Sequence, residues 1–284
     1  MIAASVSSSQ SPRPRARRTA VAPDGVSLAI QEWGSPDGPA LVLVHGGLSN
    51  HLCWQRQVDD ERLASFRIVT YDLRGHGDSD KPVDPSSYQD EERWADDLHA
   101  VLETCGLRDP VLVVWSLAGV VTSAYLRKYG GSRLGGVVWV GAIPTVAAVT
   151  ESAVFELMPR MFSPHIDERI DGLRAWLASC FGHSAPPSYM FERMLASASF
   201  ALPLAPAVGS FTVADPWPTL RAFDRPALVI QGTHDRITPP DVGRQLAENI
   251  PNATLVMYDG AGHALFIDEP DRFASDILAF VRRT

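Results

Sequence analysis

Three side chains spread along the chain, Ser116, Asp235 and His263, have the chemistry of a nucleophile, an acid and a base. A serine hydroxyl is a poor nucleophile until an imidazole accepts its proton, and that imidazole needs a carboxylate to fix its tautomer and stabilise its charged form. Each of the three residues follows an apolar, β-rich run, so each is expected at the end of a strand. The sequence therefore predicts that Ser116 attacks a substrate, His263 transfers the proton and Asp235 orients the histidine.

The candidate nucleophile lies at an abrupt change of pattern, because the apolar run Val111–Trp115 leads into Ser116 and helix-like sequence follows directly. A sharp turn from a strand into a helix exposes the hydroxyl of the turn residue and holds its backbone rigidly. Small residues are typical two positions before and after such a serine, where this chain has Val114 and Ala118. A serine here is also a common helix N-cap. If the turn forms, the branched Val114 predicts a compensating small residue or a shifted helix opposite it.

The elements that must position these residues alternate between strand-like and helix-like sequence. Predicted strands are 19–22, 26–33, 41–45, 67–72, 111–115, 137–140, 227–231 and 254–258, the first two forming a hairpin. Predicted helices are 54–64, 91–105, 117–129, 241–249 and 271–282. This alternation indicates an α/β fold with a mainly parallel sheet and helices on both faces.

Two segments depart from the alternation. Residues 144–218 contain no clear strand but several helix-like stretches, which predicts a helical insertion over the sheet. The insertion would divide a core domain into the parts 19–143 and 219–284. Residues 1–18 are rich in serine, proline and arginine, which predicts a flexible N-terminal tail.

The apolar side chains of the insertion either pack its helices together or line a substrate cavity between the insertion and the sheet, a common place for ligands to bind. Both sides of such a cavity offer candidates. The predicted substrate-binding residues are Leu48, His51, Trp115, Met158, Met161, Phe191 and Met194.

Four motifs follow the predicted strands in order. They are His45-Gly46-Gly47, the run Asp72–Ser79, the serine turn, and a pair of glycine-containing loops that end at Asp235 and His263. With these motifs the chain from about Thr19 onward resembles the α/β-hydrolase superfamily, in its capped branch with a serine nucleophile. The resemblance implies a mostly parallel eight-stranded sheet with a helical cap after the sixth strand. It also implies that the backbone amides of Gly47 and Leu117 form an oxyanion hole.

The identity of the nucleophile narrows the reaction. Haloalkane dehalogenases and epoxide hydrolases of this branch use an aspartate at the turn, so Ser116 argues against both. We predict a serine hydrolase that needs no cofactor and cleaves an ester or lactone bond of a small, largely apolar molecule through an acyl-enzyme on Ser116. The alternatives are hydrolysis of a carbon–carbon bond or a non-hydrolytic step in secondary metabolism at the same site, and a small-molecule receptor built on the hydrolase fold.

Composition excludes several other classes. The formal net charge of -8 argues against a nucleic-acid or anionic-membrane partner. Cys53, Cys105 and Cys180 are odd in number and widely spaced, and no set of histidines has metal-ligand spacing. No stretch predicts a transmembrane helix. These features predict a cytoplasmic, metal-free enzyme, monomeric or homodimeric, whose partner is its small-molecule substrate.

Overall fold

A computed structural model describes residues 13–150, 152–183, 185–201 and 214–284. Its strands are β1 (Ala16–Val21), β2 (Ser27–Gly34), β3 (Ala40–Val44), β4 (Arg67–Tyr71), β5 (Val111–Trp115), β6 (Gly136–Val140), β7 (Ala227–Gly232) and β8 (Ala253–Tyr258). They form one eight-stranded sheet in the order β1-β2-β4-β3-β5-β6-β7-β8. The pairs β1–β2 and β2–β4 are antiparallel and the others parallel, which confirms the predicted fold class.

Helices connect most of the parallel strands. They are α1 (Gln55–Val58), α2 (Ser86–Gln89), α3 (Glu91–Cys105), α4 (Ala118–Tyr129), α5 (Ala153–Met161), α6 (Ile166–Ser179), α7 (Ser188–Phe200), α8 (Trp217–Arg221), α9 (Pro240–Asn249), α10 (Leu265–Asp268) and α11 (Pro270–Val281). Short 3-10 turns cover His51–Trp54, Glu61–Leu63 and Val146–Val149. In the part of the chain described, no helix combines the length and the apolar character needed to cross a membrane.

The centre of the sheet follows from its sequence. Every residue of β5, β6 and β7 is buried, as expected for strands of a parallel sheet that is covered on both faces. Val114 lies opposite Val44 on one side and Trp139 on the other. The carboxyl ends of β3, β5 and β6 therefore meet at one edge of the sheet, and the loops that follow them meet there too.

Helix α3 shows how local signals set an element's bounds. Asp90 caps its start, because the carboxylate accepts a hydrogen bond from the Glu92 amide at 2.9 Å. Gly106 ends it in the left-handed conformation, with a φ of 57°. The predicted bounds, 91–105, agree with the structure. The predicted helix 54–64, in contrast, is broken into α1 and two 3-10 turns, because the side chain of Asp60 caps a separate turn by accepting from the Arg62 amide.

The N-terminal prediction needs a correction, since β1 begins at Ala16 and the predicted flexible tail extends to residue 18. Glu32 on β2 explains the difference. Its buried carboxylate pairs with Arg15 and Arg18, each at 2.5 Å, and with Arg67 at 3.2 Å. A buried carboxylate requires such partners, and the arginines hold its pKa below the usual range although burial alone would raise it. Residues 1–12 lie outside the described residues.

Between β6 and β7 the chain forms α5, α6, α7 and α8 and no strand among its described residues. We call residues 144–218 the helical segment. Residues 151, 184 and 202–213 of this segment lie outside the description. Helices α5 and α6 pack on each other, and α6 also packs on α7.

Candidate active site

Ser116 occupies a strained turn at the carboxyl end of β5. Its φ is +57°, a left-handed conformation that a residue other than glycine rarely adopts, and α4 begins two residues later. The turn is fixed because the Ser116 amide donates to the Val140 carbonyl at 3.2 Å and its carbonyl accepts from Ile143 at 3.1 Å. A β-carbon added at Gly46 would lie 2.7 Å from the Ser116 β-carbon, so the neighbouring loop approaches the serine as only glycine allows.

The turn forms even though Val114 stands where a small residue is typical. Val114 is fully buried and keeps regular pairing with both neighbouring strands. The close contacts that require glycine lie elsewhere, at Gly46 against Ser116 and at Gly119 against the Ile143 carbonyl. The branched side chain therefore does not prevent the left-handed turn.

His263 and Asp235 are brought together from the loops after β8 and β7. The imidazole Nδ1 of His263 donates to Asp235 Oδ2 at 2.9 Å, and both side chains are buried. This bond fixes the tautomer and leaves Nε2 as the nitrogen that can accept a proton. The indole of Trp115, the residue before Ser116, donates to the His263 carbonyl at 3.0 Å. One bond thus ties the histidine loop to the strand that carries the serine.

The carboxylate of Asp235 is held by further donors. Its Oδ1 accepts from the amides of Ile237 at 2.9 Å and Thr238 at 2.8 Å. Its Oδ2 also accepts from Gln231 at 3.1 Å. Hydrogen bonds from neutral amides stabilise an ionised carboxylate and fix its orientation. The Asp235 carboxylate is therefore held in one orientation, with Oδ2 toward His263.

Gly47 and Leu117 both lie close to Ser116, because Leu117 follows it directly in the chain and Gly47 follows Gly46, which approaches the Ser116 β-carbon. A β-carbon added at Gly47 would be 3.4 Å from the Leu117 side chain, so the two residues are in contact. Neither amide donates to another group in the part of the chain that the structure describes, and both residues line the same cavity. Free backbone donors next to a serine hydroxyl are what an oxyanion requires.

An apolar cavity of about 120 Å³ opens beside Ser116. Its lining is Gly47, Leu48, Ser116, Leu117, Ile143, Val146, Val149, Val154, Phe155, Met158, Met161, Phe162, Trp176 and Ile237. The set contains no charged side chain. The cavity therefore suits an uncharged, apolar group.

Three of the seven predicted substrate-binding residues, Leu48, Met158 and Met161, line this cavity, and four do not. Trp115 is buried between His263 and Phe266, with ring centroids 5.3 and 5.0 Å apart. Its indole is thus used to hold the histidine loop.

The other three lie away from the lining for different reasons. The side chain of His51 is hydrogen-bonded to Asp72: the His51 Nδ1 donates to Asp72 Oδ2 at 2.9 Å. Phe191, on α7, packs against Phe181 with ring centroids 6.5 Å apart, and no described residue of α7 is in the cavity lining. Met194 is buried against residues 49–55.

Sequence reasoning missed much of the lining. Ile143, Val146 and Val149 follow β6, and Ile237 lies two residues beyond Asp235. Proximity to a predicted strand end was the available signal for Ile143 and Ile237. Trp176 and the remaining apolar residues of α5 carry no signal that separates a cavity wall from helix packing.

Asp72 is the centre of the one group of three potential metal ligands among the described residues, with His51 and Asp78. Burial alone would raise its pKa, but the hydrogen bond and charge of His51 and the Asp78 amide lower it to about 2. Its Oδ1 also accepts from the His51 amide at 2.7 Å. The loop's own donors account for this buried carboxylate without a metal ion.

Asp268, at the end of α10, connects the helical segment to the histidine loop. Its Oδ2 accepts from the Gly262 amide at 2.8 Å and from the Gly182 amide at 3.0 Å. A second bond runs from the Ala264 amide to the Cys180 carbonyl at 2.8 Å. Because Cys180 directly follows α6, one wall of the cavity and the loop of His263 share a common attachment.

The fold and this site define the class of protein. The sequence model of the alpha/beta hydrolase family matches residues 41–276, and the chain belongs to that family.

Individual relatives add detail. A solved structure of a Burkholderia cenocepacia protein assigned as an aryl esterase is 39% identical, with 94% of this chain and 98% of that chain covered and a TM-score of 0.89. Non-heme chloroperoxidase CPO-A1 of Kitasatospora aureofaciens is 29% identical, covering 92% of this chain and 98% of the relative. The bifunctional esterase/perhydrolase DCH of Acinetobacter calcoaceticus is 28% identical, covering 91% and 97%. The esterases among them support hydrolase activity in this chain.

Proposed function

We propose that the protein is a serine esterase that acts on esters with a small, uncharged, apolar group. The observation that carries the proposal is Ser116 in its left-handed turn, which lines an apolar cavity together with Gly47 and Leu117 and directly follows Trp115, whose indole is hydrogen-bonded to the loop of the His263–Asp235 pair. Packing alone gives no reason to place a strained serine and two unused amides around one cavity, with a buried histidine–carboxylate pair on the neighbouring loops.

Each group has a part in the reaction. Nε2 of His263 accepts the Ser116 proton while the serine oxygen attacks the ester carbonyl, and the amides of Gly47 and Leu117 stabilise the resulting oxyanion. The ester C–O bond then breaks, and His263 returns the proton to the departing alkoxide. Water attacks the acyl-enzyme by the same route, which releases the acid and restores the serine.

The size and polarity of the cavity limit the substrate. A dry cavity of about 150 Å³ in an engineered protein binds benzene, and the cavity here, at about 120 Å³, is of similar size. We therefore expect one moiety of the ester to be a short alkyl or phenyl-sized group. The assignment of the Burkholderia relative as an aryl esterase supports this choice.

Acyl transfer to hydrogen peroxide is a second candidate, favoured by the perhydrolase and chloroperoxidase activities in the names of two relatives. The same acyl-enzyme would be attacked by peroxide in place of water and would release a peroxy acid. Product analysis with and without added peroxide separates the two outcomes.

The test is covalent labelling together with turnover. A fluorophosphonate probe should label the wild-type protein at Ser116, and Ser116→Ala should take no label. The wild type should hydrolyse phenyl acetate and phenyl butyrate, and Ser116→Ala should lose this activity by a factor of about 10⁶. A wild-type protein that is folded but neither labelled nor active on any uncharged ester would overturn the proposal and favour the receptor alternative.

A further inference from the structure

Two buried histidines outside the proposed triad connect the loops after β3 and β4. Nε2 of His76, in the second loop, accepts from the Leu48 amide of the first loop at 3.1 Å. Its Nδ1 donates to the Arg74 carbonyl in its own loop at 2.9 Å. Both ring nitrogens of His76 are therefore used, one as donor and one as acceptor.

His45 repeats this arrangement in the opposite direction. It lies in the first loop, and its Nε2 accepts from the Leu73 amide of the second loop at 3.0 Å. Its Nδ1 donates to the adjacent Gly46 carbonyl at 2.7 Å. The two imidazoles contact each other edge to face, with centroids 5.1 Å apart. Each loop thus supplies an acceptor for an amide of the other.

The arrangement requires neutral imidazoles, because a protonated ring has no acceptor nitrogen. Burial provides this state. It lowers the pKa of His45 to about 4 and that of His76 to about 3. Both rings therefore stay neutral through the pH range in which an esterase with a histidine base operates.

Leu48 is where this arrangement meets the site. Its φ is +57°, a strained conformation for a residue other than glycine, which persists only where the surroundings hold it. Leu48 directly follows Gly47, and the side chain of Leu48 lines the cavity. The bond from its amide to His76 fixes the orientation of the peptide that joins the two residues.

We propose that His76 is a positioning residue for the oxyanion hole: its Nε2 holds the Leu48 amide and so fixes the peptide that directly follows the Gly47 N–H, while His45 binds the Gly46 carbonyl of the peptide that carries this N–H. The inference rests on the proposed esterase function for its catalytic consequence, whereas its structural part stands on the hydrogen bond alone. His76 touches neither the serine nor the cavity, so its effect on catalysis is indirect.

Two substitutions distinguish the effect of losing the Nε2 acceptor from the effect of changing the volume of the side chain. His76→Phe keeps an aromatic ring but removes the acceptor, and His76→Gln restores an oxygen near the position of Nε2. The matched control is His99→Phe, because His99 stacks on Tyr129 with centroids 4.0 Å apart, between α3 and α4. All three variants are checked for folding by circular dichroism and thermal unfolding.

Two readouts are needed. Hydrogen exchange by NMR reports the Leu48 amide directly, and we expect fast exchange in His76→Phe with protection retained in His76→Gln and His99→Phe. Kinetics on phenyl butyrate should show kcat reduced about 10- to 100-fold in His76→Phe with little change in KM, since an oxyanion donor acts mainly in the transition state. His76→Gln should recover most of kcat.

The outcomes distinguish this inference from the proposed function. Unchanged exchange of the Leu48 amide in a folded His76→Phe protein overturns the inference, whatever the activity. Altered exchange with an unchanged kcat overturns it as well, because the amide would then be held without a catalytic effect. If the wild type itself neither reacts with the fluorophosphonate nor cleaves esters, the proposed function fails, and the exchange data still decide whether His76 holds Leu48.

Discussion

The cavity has two walls of opposite character. Behind the wall at the sheet edge, the loops are held by hydrogen bonds to buried carboxylates, as the contacts of Asp72 and Asp235 show. The wall formed by the helical segment is apolar and is held by side-chain packing and by its attachment at Asp268. Hydrogen bonds fix positions closely, whereas apolar packing tolerates exchange of side chains of similar volume. On the proposed function, we expect the sheet-edge wall to determine the chemistry and the helical wall to determine the selectivity.

The largest expected effect falls on the sheet-edge wall. Asp235→Asn should lower kcat by about 10⁴-fold, because the amide would support the wrong tautomer of His263. Its folding should change little, since an amide oxygen can still accept from the Ile237 and Thr238 amides. Turnover of phenyl butyrate and thermal unfolding measure the two quantities.

Asp72→Asn is the matched control, because Asp72 also carries a histidine at 2.9 Å. We expect a loss of about 1.5–3 kcal/mol in the free energy of unfolding, the range for hydrogen bonds to a charged group, with only a modest loss of kcat. An equally severe loss of kcat in a folded Asp72→Asn protein would show that the polar wall acts as one unit and that the two His–Asp pairs do not differ in role.

The next prediction concerns how the free energy of unfolding depends on pH through the two buried histidines of the sheet-edge loops. An unfolded histidine takes up a proton near pH 6.5, whereas burial lowers the pKa of His45 to about 4 and of His76 to about 3. The unfolded chain therefore binds more protons than the folded chain below pH 6.5, and the free energy of unfolding should fall as the pH falls. Each histidine contributes a slope of about 1.4 kcal/mol per pH unit between about pH 6 and 4.5.

Urea unfolding at a series of pH values measures this slope. In His76→Gln the slope should be smaller by the contribution of one histidine. The same slope in both proteins would mean that the His76 ring is not held neutral.

The smallest effect belongs to the helical wall. Met158→Ala enlarges the cavity and should shift the ratio of kcat/KM values for phenyl hexanoate over phenyl acetate upward by about tenfold, since one or two methylenes in an apolar pocket are worth about 1–3 kcal/mol. Met194 offers a methionine in the same segment that is buried outside the cavity. Met194→Ala should leave the ratio unchanged while it lowers the free energy of unfolding by about 2–5 kcal/mol. Equal ratios of the two kcat/KM values in Met158→Ala and Met194→Ala would show that Met158 does not determine selectivity.

The two walls also differ in how far the sequence predicts them. Ser116, Asp235 and His263 are recognisable because a polar residue directly after a buried strand has few structural reasons to be there, and the chain order of the three adds a second constraint. The bounds of α3 and β5 follow equally from local signals.

The remaining assignments depend on contacts that are distant in sequence. His51 follows the Gly47 loop and is predicted near the substrate, but the Asp72 carboxylate, 21 residues away, draws it elsewhere. Residues 16–18 have the composition of a tail, yet Glu32 holds them in β1. Met158 and Met194 look alike in sequence, but Met158 lies on α5 and lines the cavity, whereas Met194 lies on α7 and is buried outside it.

The attachment at Asp268 limits how the family's parts can be recombined. A β-carbon added at Gly182 would lie 2.5 Å from the Gly262 amide nitrogen and closer still to the Gly260 carbonyl oxygen, and one added at Gly262 would lie 2.6 Å from the Gly182 amide nitrogen, so the two segments cross with no space for side chains. A chimera that takes its helices from one relative and its sheet from another therefore has to transfer Cys180–Gly182 and Gly260–Asp268 as one unit. A donor helix pair joined elsewhere would displace the histidine from its acid and yield a folded protein with a new pocket and no turnover.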